Sequence, residues 1–136
     1  MTLNSVLRKI AKRVFKIVYT NDLPENYAGT FNCLFVKIRP EYKDDKCLIE
    51  HEYTHAVQML RTLGLHCLLY SLSSRYKLKS ELEAYAIQYC CANERNETRL
   101  KRFAKFIATK YGLKIDTNDA LRLLENAIKN HCPHLL

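Results

Sequence analysis

Apolar residues recur at helical spacing along most of the chain and alternate in two short stretches near its start. Leu3, Val6, Leu7, Ile10, Ala11 and Val14 trace one side of an amphipathic helix over residues 3 to 17. Arg8, Lys9, Lys12, Arg13 and Lys16 fall on the other side with no acid among them, which predicts a packed helix with a cationic outer face. From Phe15 to Thr20, and again from Thr30 to Arg39, β-branched and aromatic residues alternate with polar ones, so both stretches read as strands. Asn21-Asp22-Leu23-Pro24 turns the chain between them, and Pro40 ends the second.

Helical periodicity then takes over. Leu48, Val57, Leu60 and Leu63 supply apolar positions for a helix of about four turns, which Asp44 and Asp45 precede and Gly64 stops. Residues 65 to 72 form a short apolar segment, and residues 79 to 87 carry a second helical pattern. After a break at residues 93 to 96, Leu100, Phe103, Ala104, Ile107 and Tyr111 trace a helical face closed by Gly112. Asp116 or Thr117 caps a last helix carrying Ala120, Leu121, Leu124, Ala127 and Ile128. The pattern as a whole is α+β, predominantly helical, in one domain spanning residues 1–136.

Composition narrows the class. With 48% hydrophobic residues in 136, the chain can bury a core without cross-links. No apolar run is long enough for a membrane span, and the apolar residues of the N-terminus are interrupted by charge, unlike a secretory signal. The six cysteines, at 33, 47, 67, 90, 91 and 132, include no C-x-x-C pair. Together these features predict free thiols in a reducing, cytoplasmic setting. The net charge of +8 favours a solvated basic surface, with an anionic lipid, phosphate backbone or acidic protein as possible partner. No aromatic residue is interleaved with the N-terminal cations to read bases, so sequence-specific nucleic-acid binding gains no support.

The chemistry lies in His51-Glu52-Tyr53-Thr54-His55. On a helix, residues four apart share a face about 6 Å from each other, so two imidazoles at that spacing can bind one Zn²⁺. Glu52 then stands beside the ion, where it can serve as general base. The residues around the motif are uncharged from Tyr53 to Thr54 and from Ala56 to Val57, which suits a buried helix.

The metzincin extension is absent, because Gln58 and Arg61 occupy the positions of its Gly and His. Downstream, Glu81-Leu82-Glu83-Ala84-Tyr85 resembles the E-x-x-A-D motif of the gluzincins, zinc peptidases whose third ligand is a glutamate on a later helix. The likeness spans residues 48 to 87 and is greatest to small, minimal gluzincins, among them compact metallopeptidases of bacteria and phages. It implies Glu81 as third ligand. If Ser80 caps this helix, Glu83 is the capping-box carboxylate and Glu81 is free for metal; if the helix starts near Lys77, Glu83 is a candidate too. Tyr85 replaces the closing Asp, which leaves open what orients a histidine ligand.

The resemblance implies a minimal zincin-like domain in which a small N-terminal β-sheet packs on the motif helix. Residues 31 to 38 would then be the edge strand that receives an extended peptide. It also implies one Zn²⁺ per chain held by His51, His55 and Glu81, with Glu52 catalytic and a peptide or protein as substrate. Tyr70, Arg75 and Tyr76 are candidates for the donor to the oxyanion. Two other readings remain: a noncatalytic zinc domain, closed by a fourth ligand from Cys47, Cys67 or Glu83, and a basic helical module that binds an anionic partner.

Overall fold

The computed structural model describes residues 2–132. Six α-helices and a three-stranded mixed sheet follow one another as α1 (Leu3–Val14), β1 (Ile17–Tyr19), β2 (Gly29–Phe31), β3 (Val36–Ile38), α2 (Lys46–Arg61), α3 (His66–Leu72), α4 (Ser74–Cys91), α5 (Glu97–Lys110) and α6 (Thr117–His131). A 3-10 turn at Pro40–Tyr42 joins β3 to α2. This is the predominantly helical α+β architecture that the periodicity predicts.

Helix starts follow from local chemistry. Thr2, Asp45, Ser73, Asn96 and Asp116 each turn a side-chain oxygen onto a free amide of the first turn of α1, α2, α4, α5 and α6, a bond that stabilises a helix by about 1 kcal/mol. The ends are equally local. After α2, Leu63 and Gly64 take positive φ of 54° and 89°, and the Gly64 amide donates back to the Met59 carbonyl at 2.9 Å.

The strands run in the order β1-β3-β2, with β1 parallel and β2 antiparallel to β3. The single strand expected over residues 30 to 39 is therefore a hairpin. Asn32 Oδ1 accepts from the amides of Leu34 and Phe35, and Cys33 adopts φ 75°, which folds the stretch back on itself. The expected edge strand at residues 31 to 38 is corrected accordingly. Its C-terminal half is the central strand β3, and β2 is the edge beside α2.

Two apolar clusters build the core. One joins α1, the sheet and α2 through Ala11, Phe15, Val36, Ile38, Tyr53 and Val57. The other joins α4, α5 and α6 through Tyr85, Phe103, Ile107, Leu124 and Ile128. Burying a side chain such as Ile107 or Leu124 contributes about 1.5–3 kcal/mol. Helices α2 and α4 lie against each other between the clusters, with Ala56 and Ala84 fully buried. Arg8 locks α1 onto α2 by donating to Glu50 and to Thr54 Oγ1 at 2.7 and 2.8 Å.

Two expectations about surface and thiols are corrected. In α1 only part of the apolar face turns inward, because Leu7, Ala11 and the following Phe15 pack on α2 while Leu3, Val6, Ile10 and Val14 are exposed. The cysteines are not free: they form the pairs Cys33–Cys67, Cys47–Cys91 and Cys90–Cys132, with Cα separations of 6.5, 5.4 and 6.3 Å that suit disulfides. Adjacent residues on a helix point about 100° apart, so Cys90 and Cys91 reach α6 and α2 respectively. The expectation of a reducing, cytoplasmic setting loses the part of its support that free thiols would give. No helix among the described residues is long and apolar enough to cross a membrane.

Candidate metal centre

His51 and His55 project from one face of α2 toward α4, and Glu81 projects back from α4 between them. All three are buried, at 3%, 6% and 2% exposure. His55 Nε2 lies 3.3 Å from Glu81 Oε1 and His51 Nε2 lies 3.5 Å from Glu81 Oε2. The second approach is longer than a hydrogen bond, so the buried Oε2 has no donor. A buried acceptor left without its hydrogen bond costs about 1–3 kcal/mol, which a cation bound between the three side chains would offset.

The donor set fits Zn²⁺. Two ligands about 2.0 Å from one ion at tetrahedral angles stand about 3.3 Å apart, close to the separations seen here, and the three ligand atoms lie within 4.8 Å of one another. In the metal-free chain the same closeness makes a charged cluster. Burial works against a charge on His55, but the Glu81 carboxylate prevails and lifts the imidazole to about 9. Burial would likewise raise Glu81, yet His55 and then His51 hold it well below the ordinary carboxylate range.

The orientation of His55 is set by residues that its motif does not include. Gln58 Nε2 donates to the Ser80 carbonyl at 3.1 Å, which turns Oε1 toward His55 Nδ1 at 3.0 Å. Ser80 Oγ donates to the same Oε1 at 2.5 Å. Nδ1 is thereby the protonated nitrogen and Nε2 faces Glu81. His51 has no such partner. Its Nδ1 is buried without a hydrogen bond, and its ring stands edge-on to Tyr85, centroids 4.5 Å apart, where the gluzincin pattern has Asp.

Glu83 is excluded from this cluster. It forms a fork with Arg61 at 2.9 and 3.0 Å across the outer edges of α2 and α4. The capping argument that favours Glu81 is also corrected: α4 begins at Ser74 with Ser73 as its cap, and Ser80 is a mid-helix residue bonded to Gln58. Glu81 is the inward residue because of helical phase, two positions from Glu83 and so on nearly the opposite side.

Glu52 opens onto two clefts. One, about 310 Å³, is lined by Gly29, Thr30, Phe31, His66 and Tyr70 together with His51, His55 and Glu81. The other, about 460 Å³, shares Tyr27, Gly29, His51, Glu52 and Tyr111 and continues along Arg99, Arg102 and Lys110 of α5. Glu52 is 4% exposed. Burial pushes its carboxyl up, against the pull of His51 and His55. Gly29 allows this closeness, since a β-carbon there would sit 2.8 Å from Ile38 Cδ1 and 3.3 Å from Glu52 Cγ.

Of the three candidate donors, Tyr70 reaches the cluster, donating to Glu81 Oε1 at 2.5 Å. Tyr76 instead meets His66 Nδ1 at 2.7 Å, and Arg75 is exposed. His66 lies outside the three-residue cluster, and burial followed by the charge of His55 lowers it to about 4. Tyr27, Tyr111 and Lys110 join the site unannounced by any motif. Tyr27 donates to the Lys110 carbonyl at 3.0 Å, and the Tyr85 and Tyr111 hydroxyls are 2.7 Å apart. No protein-family model, curated protein or solved structure matches the chain.

Proposed function

We propose that this chain is a zinc-dependent peptidase of gluzincin type, with one Zn²⁺ held by His51, His55 and Glu81. The observation that carries the proposal is the convergence of these three side chains beside Glu52 where two clefts meet. The chemistry that Zn²⁺ supplies in such a site is Lewis acidity. Glu52 accepts the proton of the attacking water on a carboxylate oxygen and returns it to the departing amine. Its carboxyl is buried beside His51 and His55 and lines both clefts, which places it to exchange a proton with a water held there. Tyr70 and the Gln58–Ser80 pair hold Glu81 and His55 in place.

An extended peptide adds to the free edge of β2, whose other edge is bonded to β3. The scissile carbonyl then lies between the cleft with Phe31 and Tyr70 and the cleft with Lys110. The candidates for a fourth protein ligand are engaged elsewhere: Cys47 with Cys91, Cys67 with Cys33, and Glu83 with Arg61. This supports an open site over a closed structural one. The cross-links favour a setting oxidising enough to keep them.

Glu52→Gln tests the assignment. The variant is expected to keep one zinc per chain and to lose hydrolysis of a peptide library by about 10²-fold or more. Full turnover in that variant contradicts the mechanism.

A further inference from the structure

The outer side of α1 has an organisation that the metal centre does not use. Leu3, Val6, Ile10 and Val14, spaced by three, four and four residues, form one stripe along the helix and are 71%, 36%, 41% and 58% exposed. A soluble helix has no reason to align four exposed aliphatic side chains; scattered ones are normal, and a continuous row marks a contact surface. In helical projection Arg13 borders this row, followed by Lys9, and exposed Lys16 lies two residues past the helix end. Among the described residues none of these three cations forms an ion pair, whereas Arg8 and Lys12 are both engaged by Glu50. The helix contains no acid.

We propose that α1 is an interfacial helix that lies flat on an anionic lipid bilayer. Leu3, Val6, Ile10 and Val14 enter the boundary between headgroups and acyl chains, and Lys9, Arg13 and Lys16 meet lipid phosphates. The apolar row chooses this occupant. A nucleic acid would satisfy the cations and leave four aliphatic side chains in water. A second copy of the chain would bring the same cations together face to face, in a molecule already carrying +8, over a single 12-residue helix too small for a stable interface. The inference does not depend on the metal centre, since Leu7 and Ala11 make the inward packing of α1.

Vesicle flotation of the full chain tests it. The chain has no tryptophan, so Ile10→Trp places a single reporter in the row. The expected result is flotation with phosphatidylcholine vesicles containing phosphatidylglycerol, none with phosphatidylcholine alone, and a blue shift of the reporter on the anionic vesicles. Ile10→Ser with Val14→Ser is expected to weaken partitioning by about tenfold or more. Replacing Lys9, Arg13 and Lys16 by Gln removes about fivefold per cation. Because all these side chains are exposed, thermal midpoint and zinc content should match wild type in both sets. Absence of flotation, or equal flotation on neutral lipid, overturns the proposal. So does duplex DNA binding that Ile10→Ser with Val14→Ser leaves unchanged, or a dimer in sedimentation that the same pair dissolves.

Discussion

The side-chain amide of Gln58 joins α2 to α4 and fixes His55 in one act, accepting at Oε1 from Nδ1 of the imidazole at 3.0 Å while donating to the Ser80 carbonyl at 3.1 Å. Gln58 lies three residues after His55 on the same helix, so it follows the ring wherever α2 goes. In this chain it does for His55 what a carboxylate commonly does for a metal-bound histidine.

Gln58→Ala is therefore expected to lower zinc affinity by about 10- to 100-fold, measured by competition with a chromogenic chelator. Gln58→Glu keeps an acceptor facing Nδ1 but loses the donation to the Ser80 carbonyl, so it should restore only part of it. Equal affinity in wild type and Gln58→Ala would remove Gln58 from the account.

Gly29 is the place where β2 meets Glu52, the proposed general base. An added β-carbon has 2.8 Å to Ile38 Cδ1, 3.2 Å to the Lys37 carbonyl oxygen and 3.3 Å to Glu52 Cγ, and the carbonyl is backbone that cannot rotate away. Gly29→Ala is expected to cost about 1–3 kcal/mol of stability and to lower turnover with zinc content unchanged. Chemical denaturation, zinc analysis and peptide hydrolysis on one preparation separate the three effects. Turnover at the wild-type level would show that the approach of β2 to Glu52 does not matter.

Burial and the neighbouring charge of His55 lower His66 to about 4, against about 6.5 for an ordinary histidine. Between those values the unfolded chain holds a proton at this position that the folded chain does not. The contribution of neutral His66 to stability is thus present above about pH 6.5 and is lost as pH falls toward 4. In metal-free protein, the unfolding free energy should fall more steeply over that window in wild type than in His66→Gln, by up to about one proton. Urea titrations at several pH values give the comparison; identical slopes would contradict a neutral, buried His66.

Much of the fold was legible because its signals are local. Asp45, Gly64, Gly112 and Asp116 mark helix boundaries by their own chemistry, and the i, i+4 spacing of His51 and His55 needs only a helix to put both on one face. The hairpin between β2 and β3 was hidden, since residues 30 to 39 alternate throughout and the break comes from the positive φ of Cys33 and the bonds of Asn32. Glu81 is the ligand that the resemblance implies, and the capping argument beside it does not hold, because Ser73, and not Ser80, caps α4.

What stayed out of reach depends on tertiary neighbours. The cysteine partners are 34, 44 and 42 residues apart, and no spacing rule connects them. Ser80 acquires its role only when α4 lies beside Gln58. The exposed side of α1 could not be told from its buried side because both are apolar, and only the docking of Leu7, Ala11 and Arg8 against α2 distinguishes them.

The central claim is that His51, His55 and Glu81 hold a metal. Elemental analysis of purified protein, wild type beside Glu81→Ala and Glu83→Ala, tests it most directly. The account predicts about one zinc per chain in wild type and in Glu83→Ala, where only the surface fork with Arg61 is lost, and none in Glu81→Ala. Wild-type protein that takes up no zinc after remetallation, or Glu81→Ala protein that still carries a full equivalent, would contradict it.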